Sequence, residues 1–105
     1  MFENLLKFSK NADFDFDSGL EKASEHGQLE NVNLLLADPR VDPGHNGNKP
    51  IYEASLGGNV NVVKCLLQDV RVDPGGENQA IEVAAFNGHA EVVRVLLADP
   101  HVNPI

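Results

Sequence analysis

The chain has 105 residues, of which 42% are hydrophobic, so it is long enough for one small domain with a packed core. Its 16 aspartates and glutamates outnumber 8 lysines and arginines, and the formal charge of −8 argues against nucleic acid or an anionic membrane surface as a partner. The single cysteine, Cys65, excludes an internal disulfide and a zinc cage of the CxxC kind.

The N-terminal residues 1–17 predict a short capping helix followed by a link. The segment 2–9 carries apolar side chains close to helical spacing, namely Phe2, Leu5, Leu6 and Phe8. We expect this helix to pack on the unit that follows, because eight residues make a marginal helix alone. Residues 13–19 read DFDFDSG and predict an extended link, in which Phe14 and Phe16 are packed and the carboxylates face water.

From residue 18 onward the sequence repeats itself. Glycines at 27, 58 and 88 stand 31 and 30 residues apart. A small residue precedes each glycine and a pair of leucines follows it, namely Ala23, Ala54 and Ala84, then Leu35-Leu36, Leu66-Leu67 and Leu96-Leu97. This period predicts an all-α solenoid of helix-turn-helix units with protruding turns. The predicted units cover residues 18–43, 44–74 and 75–105.

Within each unit the apolar spacing is helical. We predict helices near 19–25, 29–37, 50–57, 60–68, 80–87 and 90–98, without a strand longer than a few residues. The second helix of a unit should end at the Asp-Pro step, because proline cannot extend it. The stretches 44–49 and 75–79 are rich in glycine and asparagine, which suit turns with positive φ. The expected N-cap residues of the first helices are Ser18, Asn48 and Asn78.

Residues 80–100, AIEVAAFNGHAEVVRVLLADP, strongly resemble an ankyrin repeat in their small-residue pair, Gly-His turn, Glu-Val-Val helix start and double leucine. The resemblance extends over about residues 18–105. The DPRVDP ending looks like a variant found in long ankyrin arrays of large DNA viruses and single-celled eukaryotes. The family's Thr-Pro-Leu-His opening is replaced by Lys-Pro-Ile-Tyr at 49–52 and by Gln-Ala-Ile-Glu at 79–82.

The resemblance implies a non-enzymatic protein-protein interaction module that binds a protein partner on its concave face. Leu56 and Phe86 occupy variable positions before the turn glycine, where the family presents side chains to its partner. A phenylalanine at such a position either contacts a partner or lies against the next turn. Asn87, Tyr52 and Glu53 are their neighbours. The simplest interpretation of the negative charge is solubility, and a sharper one is a preference for a basic partner. Steering of such a partner would fall to the nearby acidic residues Glu53, Glu77 and Glu82.

No residue pattern predicts catalysis, a cofactor or a metal site. The four histidines form no HxH or HxxxH pair, and the resemblance implies a structural role for His89 in the Gly-His turn. The acidic segment 13–19 has calcium-loop spacing but lacks the sixth-position glycine and twelfth-position glutamate of an EF-hand. Cys65 aligns with Leu34 and Val95, which predicts a buried, inert thiol.

The last unit predicts an uncovered apolar end, because its outer helix is as apolar as that of the middle unit. We expect self-association through this C-terminal repeat, or poor solubility without a partner. The alternative function is a structural spacer cut from a longer ankyrin array, with no partner of its own. The N-terminus does not resemble a signal peptide, no apolar run nears membrane-span length, and we expect a cytoplasmic protein, in the host cell if viral.

Overall fold

The computed structural model describes residues 15–72 and 79–99 of the chain. These residues contain no strand and six α-helices: α1 (Phe16–Glu25), α2 (Leu29–Leu36), α3 (His45–Leu56), α4 (Val60–Leu67), α5 (Gln79–Phe86) and α6 (Ala90–Ala98). The predicted capping helix at 2–9, the Asn78 cap and the segment from residue 100 onward lie outside the described residues.

The helices are arranged as three successive pairs in two layers. α3 packs against both α1 and α5, and these three helices form the inner layer, while α2, α4 and α6 form the outer layer. Neighbouring inner helices contact each other more extensively than neighbouring outer helices do. The predicted all-α stack of helix-turn-helix units is confirmed.

The core runs along the stack as equivalent residues of successive units. The small residue of each inner helix is buried, as is the first leucine of each outer pair, namely Ala23, Ala54, Ala84, Leu35, Leu66 and Leu96. Val41 and Val72, from the loops after α2 and α4, complete this core. Helices of eight to twelve residues are marginal alone, so packing between neighbouring units supplies most of their stability.

Each inner helix ends in a Schellman motif. The glycine after the C-cap has a φ of +68° at Gly27, +72° at Gly58 and +78° at Gly88, which glycine adopts without steric cost. The backbone N–H of the following residue then donates to the carbonyl of the buried alanine, over 2.9 Å in all three units. The predicted breaks at these glycines are confirmed.

The start of α1 differs from the prediction. The helix begins at Phe16, three residues early, so the predicted extended link over 13–19 is wrong from that residue onward. Ser18 lies inside the helix, and Asp15 is the N-cap: its carboxylate accepts the backbone N–H groups of Asp17 at 3.0 Å and Ser18 at 3.1 Å. Phe16 is buried, as predicted.

The start of α3 also differs. The helix begins at His45 rather than near residue 50, and Asn48, the predicted N-cap, lies within its bounds. Asn48 has a φ of +66°, which confirms the positive φ expected in this turn and which asparagine tolerates better than most residues. Because the chain leaves the right-handed region there, Pro50 falls in the first turn of the regular segment, where a missing N–H costs little.

Candidate functional site

Side chains at the turns tie each unit to the one before it. The amide of Asn59 donates to the backbone carbonyls of Ser24 and Glu25, both over 2.9 Å. His89 occupies the same repeat position one unit later, and its Nε2 lies 3.1 Å from the carbonyl oxygen of Leu56. A carbonyl only accepts, so Nε2 carries the proton in this bond. The geometry gives His89 a structural role.

The loop after α4 contains a second connection between units. The guanidinium of Arg71 donates to both carboxylate oxygens of Asp69, at 2.9 and 2.8 Å. It also donates to the backbone carbonyls of Val41, at 2.6 Å, and Leu36, at 2.8 Å, both in the preceding unit. The hydrogen bonds from Arg71 lower the pKa of Asp69.

The equivalent pair after α2 is Asp38 and Arg40. The guanidinium again forms two bonds to the carboxylate, at 3.0 and 2.7 Å, and these hold the pKa of Asp38 at about 2. The guanidinium carbon lies 4.3 Å from the centroid of the Phe16 ring. In both units, therefore, the Asp-x-Arg part of the repeat ending is built into the structure of the loop.

The predicted partner-binding residues differ in their surroundings. Phe86, the last residue of α5, is 90% exposed, and Leu56, at the equivalent position of α3, is 38% exposed. Asn87 is exposed, and its side-chain amide donates to the carbonyl of Val83 over 2.8 Å. Glu53 is half-buried and pairs with Lys49.

A shallow groove on the inner layer brings two of these residues together. It lies between α3 and α5 and is lined by Tyr52, Gln79, Glu82, Val83 and Phe86. Glu53, Leu56 and Asn87 are not among its lining residues. Gln79 and Val83, which the sequence analysis missed, precede Phe86 by seven and three residues, so the helical repeat places them on its side of α5. Glu77 lies outside the described residues.

A second groove lies on the open side of α5 and α6, lined by Ala85, Gly88, His89, Ala90, Val93, Arg94 and Leu97. Ser55 is fully buried in the middle unit, whereas its equivalent, Ala85, is exposed. Leu97 is 56% exposed. Among the described residues, no further helix packs against this side of α5 and α6. The uncovered apolar end stays a prediction, because residues 100–105 lie outside the described part of the chain.

Cys65 is half-buried, so the predicted fully buried position is wrong. Its thiol faces α2 and donates to Oδ1 of Asn33 over 2.8 Å. The aligned residue Leu34 is 41% exposed, so this repeat position lies at the margin of the core. Burial raises the pKa of the Cys65 thiol and favours its protonated form.

In the part of the chain that the structure describes, we find no cluster of three or more histidine, cysteine, aspartate or glutamate residues able to hold a metal ion. Over the same residues, none of the helices has the length and apolar character needed to cross a membrane.

Three helix pairs, joined by side chains that reach from each turn to the previous unit, define a helical repeat protein. The family model for ankyrin repeats (3 copies) matches residues 20–104, and the chain therefore belongs to the ankyrin-repeat family. No curated protein and no solved structure matches the chain. Ankyrin repeats are generally protein-protein interaction modules and are generally not catalytic.

Proposed function

We propose that the chain binds a protein partner through the exposed face of its inner helices, with Phe86 at the centre of the contact. The observation that carries this proposal is the 90% exposure of the Phe86 side chain, at the end of a helix that is anchored in the core by the buried Ala80 and Ala84. Large aromatic side chains dominate the energetics of many interfaces when a partner buries them. Leu56, Asn87, Tyr52 and Glu53 extend the proposed surface around Phe86.

The scaffold supports this function because it is already ordered before binding. The inner helices are fixed by buried alanines, by the Schellman turns and by side-chain bonds to the next unit. A partner that docks on them therefore causes little loss of conformational entropy in this chain.

The charge of the surface favours a basic partner. The chain carries a net charge of −8, and Glu82 is exposed beside Phe86. Opposite charge on a partner speeds association, and salt screens the effect. The association rate should therefore fall as ionic strength rises, while the dissociation rate changes little. A cytoplasmic location stays a prediction from the sequence.

The test is affinity capture from a cell lysate, followed by measurement of the captured protein against variants. Phe86→Ala should weaken its binding at least about tenfold and leave the helical circular dichroism signal unchanged. Val70→Ala is the matched control, because Val70 is equally exposed but lies in the loop after α4. If the captured protein bound the Phe86 variant as tightly as it binds the unmodified chain, the proposed binding surface would be refuted. The alternative function, a structural spacer, would then be favoured.

We also propose a second function, self-association through the last described unit. In the described residues, the positions that a following unit covers in the middle repeat remain open at Ala85, Val93 and Leu97. Apolar surface of this kind is usually a contact site. Leu97→Glu should abolish an oligomer seen by sedimentation, and Leu34→Glu, on α2, should not. A monomer at high concentration would contradict this proposal.

A further inference from the structure

Arg40 lies between an aromatic ring and a carboxylate. Its guanidinium carbon is 4.3 Å from the centroid of Phe16, and its Nη2 donates to Oδ2 of Asp38 over 2.7 Å. The ring presents its negative face to the cation, while the carboxylate accepts its hydrogen bonds. The buried ring and the buried carboxylate together hold one cation, whose own side chain is 45% exposed.

Lys49 has the same two kinds of neighbour on the inner layer. Its Nζ is 5.6 Å from the centroid of the Tyr52 ring and 3.4 Å from Oε2 of Glu53. This second set of ring, cation and carboxylate lies on α3, and Tyr52 also lines the groove between α3 and α5. The arrangement is therefore found twice in the described residues.

Phe86 and Glu82 supply the ring and the carboxylate of a third set. They are four residues apart on α5, so their side chains share one face of the helix, and both are exposed. Among the described residues, neither has a cation as partner. The repeat position that Lys49 holds on α3 belongs to the neutral Gln79 on α5.

We infer that the groove at Phe86 and Glu82 binds the guanidinium group of an arginine on the partner protein. A guanidinium is planar, so it stacks on the ring while its N–H groups donate to the carboxylate. The net charge of −8 favours the approach of a cation from outside. This inference rests on the proposed function, because it names the group that the inner-helix surface takes from its partner.

To test this inference, the isotope-labelled chain is titrated with a capped tri-arginine peptide and, separately, with a capped tri-lysine peptide. Nuclear magnetic resonance monitors both titrations. Both peptides carry the same charge, so their difference reports the guanidinium. The signals of Phe86 and Glu82 should shift with tri-arginine, which should bind about threefold more tightly than tri-lysine. Phe86→Leu keeps an apolar side chain but removes the ring, and it should abolish this preference.

Glu82→Gln should weaken tri-arginine binding about threefold. Glu30→Gln, which removes the same charge from an exposed position on α2, should leave the preference for arginine intact. Equal binding of the two peptides, or an arginine preference that survives in Phe86→Leu, would overturn the inference.

The outcome is separable from that of the proposed function. A captured protein that needs Phe86, combined with equal binding of the two peptides, refutes the arginine site and leaves the proposed function standing. An arginine preference that depends on Phe86, without any Phe86-dependent protein partner, supports the site and counts against the proposed function.

Discussion

The imidazole of His89 occupies the space that a side chain on Gly58 would need: a Cβ there would lie 2.6 Å from Nδ1 of the histidine. Asn59 covers Gly27 in the same way, with Oδ1 at 2.8 Å from the corresponding position. At Gly88, nothing in the described residues lies within 4 Å. The three glycines share a positive φ and differ in whether a following unit covers them.

This difference provides a matched pair of substitutions. Gly88→Ala places a residue with a Cβ atom in the left-handed backbone region and should lower the free energy of unfolding by about 1 kcal/mol. Gly58→Ala causes the same strain and also displaces His89, so it should cost at least about 1 kcal/mol more. Urea denaturation of both variants measures the difference. Equal losses would show that His89 moves aside without cost.

The middle unit should be the most sensitive part of the core. Leu66 is fully buried, with packed units on both sides, and Leu66→Ala should cost roughly 2–5 kcal/mol. Leu97→Ala, in the exposed end of the stack, should cost less than about 1 kcal/mol. Thermal melts of the two variants compare these costs. A melting temperature of the Leu66 variant within a degree or two of the parent would contradict the assigned core.

Two buried hydroxyl groups lack hydrogen-bond partners in the described residues, those of Ser24 and Ser55. A buried polar group without a partner destabilises the folded state, so Ser55→Ala should raise the unfolding free energy by about 1 kcal/mol. Alanine already occupies the equivalent position 85. Ser18→Ala, at an exposed site on α1, is the control and should change little. A destabilised Ser55 variant would show that the hydroxyl bonds to the carbonyl of its own helix.

Stability should fall in acid because of the two Asp-x-Arg pairs. The pKa of Asp38 is about 2 in the folded chain against an ordinary 3.8, and that of Asp69 is lowered too. A lowered pKa means that the folded state binds the proton less readily than the unfolded state. The carboxylates therefore stabilise the fold above about pH 4, and this contribution is lost as pH falls toward 2.

The measurement is a carboxyl-carbon nuclear magnetic resonance titration of Asp38, combined with unfolding at several pH values. Asp38→Asn should flatten the stability profile between about pH 4 and 2. Glu30→Gln, an exposed substitution on α2, should leave the slope unchanged. A titration midpoint near the ordinary 3.8 for Asp38 would mean that the ion pair between Asp38 and Arg40 does not form in solution.

The stack of helix pairs could be predicted from the sequence because the residues that each unit requires recur three times at nearly the same spacing. Ala54 is buried where two inner helices meet, Leu66 fills the core, and Gly58 supplies the positive φ of the turn. Each requirement restricts its position to one or two residue types. The repetition shows that the match is not accidental.

The helix starts could not be predicted because several residues compete for the cap. Asp15, Asp17 and Ser18 are all good N-cap types, and the choice among them depends on where Phe16 can be buried. The residue type of Asn48 predicts a cap for α3, but its backbone adopts the left-handed conformation inside the helix bounds. The residues at which α1 and α3 begin are set by packing between the units. The preference of individual residue types for the N-cap position does not reveal that packing.

The candidate site was predictable only in part. The variable position of Phe86 in the repeat singles it out in the sequence, whereas its 90% exposure is seen only in the structure. Its proximity to Tyr52 depends on how α3 and α5 pack, and the pairing of Lys49 with both Tyr52 and Glu53 depends on side-chain conformations. Cys65 is only half-buried because its position faces the neighbouring Asn33 as well as the core.

The bonds from the turns all point toward the N-terminal side, and this direction matters while the protein is being synthesised. The amide of Asn59 is made 34 residues after the Glu25 carbonyl that it binds, and His89 is made 33 residues after Leu56. A unit that emerges from the ribosome thus lacks these donors until the next turn follows. The nascent chain should therefore become resistant to protease in steps, and each unit should become resistant only after the next unit has been synthesised.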